Sequence, residues 1–320
     1  MTTVSDGLFQ YGGMPVGLGF PFNIGNIYYV CQEANSSVYD YMWKKYKDRT
    51  YDTDGSKILH TTIQGGLDAT VANREDYVIV CTDGSDYDLT AALTMTKKGV
   101  HLICPGGFTH GGGMPGNAVR IHQNTAATSC ITVTADCVEI AGFFFKGMLD
   151  SNIVNLSGSR WHDYIHHNFF GGAVTAGADI FIVGGAADVY QSTISDNYIM
   201  GGYSPNAAQT ISSCVGFTSA SSGRNLIARN YIVSGAKITV TAGIKTAGVT
   251  DVVCDNYIIE SVDAGLGAGT FTESWDGTVS TVYINNRTCM DTAAESGGTA
   301  STTHCNNWEA TSGNTIIEAS

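Results

Sequence analysis

Apolar residues change their spacing once along this chain, near residue 76. Ahead of that point, SVYDYMWKKYKDR (Ser37 to Arg49) puts Val38, Met42 and Tyr46 at i, i+4 and i+8 behind a serine able to cap. TIQGGLDATVANR (Thr62 to Arg74) does the same with Ile63, Leu67 and Val71 behind Thr62. Both stretches are predicted as helices, the second despite Gly65 and Gly66. Beyond residue 76 the apolar runs are short and β-rich: Tyr77-Val78-Ile79-Val80-Cys81, then Leu93-Thr94-Met95, then Val100-His101-Leu102-Ile103-Cys104. Gly, Asn, Asp and Pro punctuate such runs to the C-terminus. Residues 1 to 30 follow neither period. They set Leu8, Phe9, Tyr11, Met14, Phe20 and Phe22 among glycines. A flexible tail fits this stretch. So does an extended arm ordered against another subunit, because these residues are too apolar for a solvated linker.

The β-rich part repeats itself. HHNFFGG, SDNYIMGG, ARNYIVSG and CDNYIIES align on Asn168, Asn197, Asn230 and Asn256, and the degenerate INNRTCMD and HCNNWEAT add Asn286 and Asn307. These asparagines are 29, 33, 26, 30 and 21 residues apart. A drifting period of this size with β-type residues marks a solenoid, whose single coil cannot bury its inward side chains but whose stack can. Asparagines stacked at one turn would hydrogen-bond up and down as a ladder. Asn also tolerates the left-handed backbone of a tight turn. The expected fold is all-β: a parallel β-solenoid of about eight coils and on the order of 40 Å. Its parts would be an arm (1–30), a capping segment with two short helices (31–75), the β-helix (76–312) and a C-terminal tail (313–320). The helices would cover the open end, which otherwise exposes strand edges.

Composition narrows the function. Charged residues are 14% of the 320 and the net charge is −13, which disfavours nucleic acid and other polyanions. The dense basic stretch Lys44, Lys45, Lys47 and Arg49 reads as a solvated helix face. The nine cysteines show no C-x-x-C spacing, so neither a disulfide scaffold nor a zinc site is supported. They read as small buried fillers in a protein folded in a reducing cytosol. The start of the chain lacks a basic n-region and an apolar h-region, and no apolar run suits a membrane span.

The stretch TIQGGLDATVANREDYVIVCTDGSDYDLTAALTMTKKGVHLICPGG, from Thr62 to Gly107, resembles the start of many pectin-lyase-like right-handed β-helices. Together with the opening around DGLFQYGG and YYV, it is most similar to phage and environmental-virus proteins of that class. The resemblance implies a single-stranded right-handed parallel β-helix and a virion role, and it covers about two thirds of the chain.

The same fold carries polysaccharide lyases and hydrolases, so activity has to be argued from a site. The galacturonase motifs N-T-D, D-D, G-H-G and R-x-K do not occur. RWHDYIHHNFFGG is similar to the W-I-D-H-N strand of pectate lyases, with Asp163 or His167 at the matching positions and His162 and His166 beside them. The Asp pair and the R-x-x-R-x-P segment that complete that site are missing. A structural strand with surface histidines explains the motif as well. His162 and His166, on one strand, would be about 13 Å apart and unable to share a metal. Asp52-Thr53-Asp54-Gly55 reads as an Asx turn rather than a calcium loop, and Asp83, Asp86 and Asp88 as turn residues. Tyr198, Tyr231 and Tyr257 follow the repeat asparagines and are expected to stack within the fold.

The sequence therefore points to a non-enzymatic virion structural protein of a bacteriophage. It would be a capsid-associated decoration or spike, made in the host cytoplasm and acting as a homotrimer. Its partners would be its own copies and a major capsid or other virion protein, with a host glycan as a further candidate, and with no nucleic acid, membrane, metal or cofactor. The arm would anchor it. The alternatives are a polysaccharide lyase, hydrolase or tailspike depolymerase using Asp163 and His167, and a carbohydrate-binding adhesin.

Overall fold

The computed structural model describes residues 10–11, 14–15, 25–32, 37–51, 54–82, 86–105, 118–125, 128–148, 151–173, 181–201, 209–235, 238–260, 270–277, 280–290, 303–305, 307–311 and 316–319. Leu8, Phe9, Phe20, Phe22 and Asp83 lie outside them. Tyr11 and Met14 face each other in a short antiparallel pairing of Gln10–Tyr11 with Met14–Pro15.

Both expected helices form, as α1 (Ser37–Tyr46) and α2 (Ile63–Ala69). Thr62 caps α2 by accepting a hydrogen bond from the Gly65 amide. Ile63 and Leu67 are buried in one apolar cluster with Tyr28, Val30, Val78 and Val80. Gly66 is required here, since a Cβ would lie 2.8 Å from Val30 and 2.9 Å from Val78 side-chain carbons. The helix stops at Ala69, where the Thr70 amide turns back to the Leu67 carbonyl. Val71, expected on the same face, is consequently past the helix and exposed.

The remaining structure is strand. Three sheets of eleven, ten and seven strands dominate, and the chain visits them in that order, repeatedly. One such circuit is a coil. Each strand pairs in parallel with its counterpart one coil away, as Tyr164–His166 does with Thr193–Ser195 and Tyr198–Met200 with Tyr231–Val233. The fold is therefore all-β with parallel sheets. Ile316–Ala319 adds an antiparallel strand against Asn307–Thr311.

Alternation along these short strands decides what is buried. In the eleven-stranded sheet the inward column runs Val78, Leu102, Ile140, Ile165, Ile194, Ile227, Val253 and Tyr283, all essentially inaccessible. In the ten-stranded sheet it includes Phe145 stacked on Phe170 at 5.2 Å, then Ile199, Ile232 and Ile258. Each such side chain contributes about 1.5–3 kcal/mol on burial. Several cysteines fill this interior as expected: Cys104, Cys130 and Cys214 are buried in it. Cys289 is exposed and Cys137 and Cys254 are half-buried, so the filler reading does not extend to them.

Two corners recur with left-handed backbone. One column is His167, Asp196, Arg229, Asp255 and Asn285, with φ between 52° and 57°. The other is His162, Gln191, Arg224 and Thr250, with φ between 51° and 62°. Asn168, Asn197, Asn230, Asn256 and Asn286 themselves are not left-handed; the residue before each of these five is. This corrects the expectation that Asn was chosen for its backbone. Thr250 is β-branched, which makes its φ of 62° strained. Thr250→Asn or Thr250→Gly is expected to raise stability by about 1 kcal/mol in chemical denaturation.

Candidate functional site

The repeat asparagines stand at the corner between the eleven- and ten-stranded sheets. Asn168, Asn197, Asn230, Asn256 and Asn286 are all fully buried. The first four each donate twice to the next: Asn168 gives its backbone N–H (3.0 Å) and Nδ2 (3.2 Å) to Asn197 Oδ1. Asn197, Asn230 and Asn256 repeat this on Asn230, Asn256 and Asn286. The second Nδ2 proton goes back to a strand carbonyl, those of Ile140, Ile165, Ile194, Ile227 and Val253. Phe143 starts the column by donating its amide to Asn168 Oδ1. Asn307 continues it by backbone register, because Arg287 pairs with Trp308.

A second column fills the corner that leads into the eleven-stranded sheet, and its residues do not share a letter. Val138 N–H donates to Asp163 Oδ1 at 3.2 Å, and Asp163 N–H to Ser192 Oγ at 3.1 Å. Ser192 N–H donates to Asn225 Oδ1 at 3.0 Å, and Asn225 N–H to Asp251 Oδ1 at 2.8 Å. Asp163, offered by the sequence as a lyase carboxylate, is thus a buried rung of this column. Burial pushes its carboxyl up to about 7, and that of Asp251 up to about 6.

The histidines of the RWHDYIHH segment separate. His162 is exposed at the left-handed corner, so it does not share a strand face with His166 as expected. His166 is buried rather than at the surface. Its Nε2 meets Glu139 Oε1 at 2.7 Å, and its Nδ1 meets His167 Nδ1 at 2.7 Å. Glu139 holds a second imidazole, with Oε2 2.6 Å from His101 Nδ1, and His101 Nε2 reaches Glu75 at 3.0 Å. Tyr77 stacks on His101 and Tyr164 on His166, fixing both rings. Burial opposes charge on Glu139, but the two imidazoles overcome it and hold the carboxyl down at about 2. Burial likewise opposes charge on His101, and the bonds to Glu139 and Glu75 carry it above its ordinary value.

This carboxylate–imidazole chain can store and pass a proton, and it ties three consecutive strands together. Sequence reasoning did not find Glu139, His101 or Glu75 because nothing local links them. His167 belongs to this chain, whereas Asp163 belongs to the corner column, so the two residues of the lyase alternative have separate placements. Among the described residues no group of three or more His, Cys, Asp or Glu is arranged to hold a metal ion.

Tyr198, Tyr231 and Tyr257 do stack, but on the outer surface, opposite the buried Ile199, Ile232 and Ile258. Phe169 precedes them at 4.8 Å, and the Arg287 guanidinium follows 5.3 Å from the Tyr257 ring. The ring faces cover one another and leave edges for solvent. A sugar stacks on a ring face, so this ladder is a poor glycan platform.

Other candidates are likewise spent locally. Asp54 Oδ1 accepts from the Ser56 amide in an Asx turn, as expected, and Oδ2 pairs with Arg74. Asp86 pairs with Arg120 and Asp88 with His122. Lys45, Lys47 and Arg49 lie over Tyr41, Tyr46 or Trp43. A surface pocket of about 610 Å³ at the start of α2 is lined by Gln32, Thr62, Gln64, Asp86, Asp88 and Thr90, among others. Among the described residues, no helix is long and apolar enough to cross a membrane.

Asn230→Ala would leave the Asn197 amide and the Ile194 carbonyl without their partners. The expected loss is roughly 2–5 kcal/mol in equilibrium denaturation. Glu139→Gln tests the histidine clamp. His101, with its raised value, stabilises below its ordinary 6.5 and loses this as pH climbs through the folded value. Glu139 stabilises above its ordinary 4.5 and loses this as pH falls toward about 2. The variant should therefore cost most between these limits, roughly 2 kcal/mol, and less at pH 8 or above, in denaturation curves taken across pH.

No family model, no curated protein and no solved structure matches this chain.

Proposed function

We propose that the three stacked sheets form a single-stranded right-handed parallel β-helix. We further infer that the protein is a non-enzymatic structural component of a bacteriophage virion, a capsid-associated decoration or spike that works as a homotrimer. The observation that carries this reading is where the polar side chains go. Asp163, the residue with the best claim to lyase chemistry, accepts a backbone amide inside a corner column. His166 is engaged with both His167 and Glu139. The repeat asparagines are spent on joining coils. Such a body is suited to rigidity and to presenting surface. The virion assignment itself is supported by the resemblance to phage and environmental-virus proteins, carried by the chain's opening and the block from Thr62 to Gly107.

Incubation with acidic polysaccharides, with and without Ca²⁺, should yield no unsaturated product by absorbance. Turnover that disappears in Asp163→Ala would overturn the structural reading in favour of a lyase, and specific binding on a glycan array would favour an adhesin. Sedimentation should give three times the 33.8 kDa chain mass. Deleting residues 1–24, which leaves the core strand Ile27–Val30 in place, should abolish attachment to particles, and unchanged attachment would remove the anchoring role of the arm.

A further inference from the structure

We propose that Asp163 and Asp251 are held in the folded protein as neutral carboxylic acids, each standing in for an asparagine rung, so that protonation latches this corner of the stack. The inference is independent of the virion reading and rests on a comparison within one column. Asn225 shows what a complete rung does: Oδ1 accepts the Ser192 amide, and Nδ2 donates to the Val189 carbonyl at 2.9 Å. Asp163 and Asp251 reproduce the first half, with Oδ1 accepting the amides of Val138 and Asn225. Their Oδ2 atoms are buried and have no hydrogen-bond partner. An ionised carboxylate has only acceptors there, whereas a protonated one supplies the O–H that Asn supplies as N–H.

A third acid in the same register shows the other solution. Asp76 aligns with Val100, which aligns with Val138 and so with the rungs. It also accepts a cross-coil amide, that of Asn26, at 2.8 Å. Its two oxygens, however, receive Arg74 Nε at 2.6 Å, Arg74 Nη2 at 2.7 Å and the Val71 amide at 2.7 Å. That set suits a carboxylate. Asp163 has no equivalent. The nearest cation, Arg160, sits 3.7 Å from Asp136, whose own charge opposes ionisation of Asp163, and the Cys137 thiol is the other titratable neighbour. Asp251 takes hydrogen bonds from the amide and the side chain of Asn225 in the preceding coil, which oppose but do not overcome its burial, and it faces Tyr283 in the following one; neither is cationic. The raised values for both acids, about 7 and about 6 against an ordinary 3.8, agree with this geometry.

The sign follows. The folded chain binds more protons at these sites than the unfolded chain, so their contribution falls as pH rises from about 4 through about 7. Thermal midpoints of the full chain, Asp163→Asn, Asp251→Asn and the double variant should be measured from pH 4 to pH 8. At pH 8 each Asn variant should melt above the parent by at least roughly 2 °C. At pH 4 the gap should close. Asn225→Asp supplies the converse, near parental at pH 4 and less stable at pH 8. The infrared band of a protonated carboxylic acid should persist in the folded parent at pH 5.5 and weaken in each Asp→Asn variant. Asn variants no more stable than the parent at pH 8, or a parent without the protonated-acid band at pH 5.5, would overturn the proposal.

Discussion

A coil of this chain cannot satisfy its own strand backbone. Every strand amide and carbonyl in the parallel sheets looks to the coil before or after it, so the molecule depends on neighbouring coils staying in register. Short strands hold register weakly, because a slip of one residue exchanges inside for outside. Here many strands have only three residues, such as Tyr164–His166 and Thr193–Ser195. The corner columns supply what the strands lack. A side-chain oxygen that accepts both the N–H and the Nδ2–H of one asparagine fixes the next coil in a single position.

This constraint accounts for the unusual composition. A corner buried on all sides excludes Lys and Glu unless they are paired, and the outer strand positions are narrow, flat and shared with neighbours above and below. Uncharged polar residues and aromatics fit both places. The charge that remains is used in pairs, as in the Glu139 clamp or the Asp196–Arg229 pair, whose guanidinium donates twice to one carboxylate. Much of the chemistry that sequence motifs would assign to catalysis is therefore consumed in joining one coil to the next.

That also explains what could be read in advance. The asparagine column was legible because its geometry demands an acceptor and two donors from one short side chain, which only Asn provides, so the same letter returns. The second column asks mainly for an acceptor. Asp163, Ser192, Asn225 and Asp251 all provide one, and four positions with three letters leave no visible repeat. The Glu139 clamp was illegible for another reason. His101 and His166 are 38 and 27 residues from it, and only the sheet register brings them together. The tyrosines were recognised as a stack but assigned to the wrong side, since a β-strand repeat fixes alternation and not which face is the interior. The end of α2 was overrun because Val71 continues the apolar period one turn beyond Leu67, just past the point where Thr70 closes the helix.

The two columns divide each coil into a fixed part and a free part. Asp163 and Asn168, Ser192 and Asn197, Asn225 and Asn230, and Asp251 and Asn256 are in every case five residues apart. The strand between them, with a corner at each end, is therefore the invariant unit of the stack. All the drift in the repeat falls on the way back, from each asparagine through the ten- and seven-stranded sheets to the next rung: 24 residues from Asn168 to Ser192, 28 from Asn197 to Asn225 and 21 from Asn230 to Asp251. Insertions there cost only loop entropy, which grows slowly with length, whereas a single insertion between the columns would break both. Loops that differ from coil to coil can thus be inserted on the return path without disturbing the asparagine ladder that made the architecture visible.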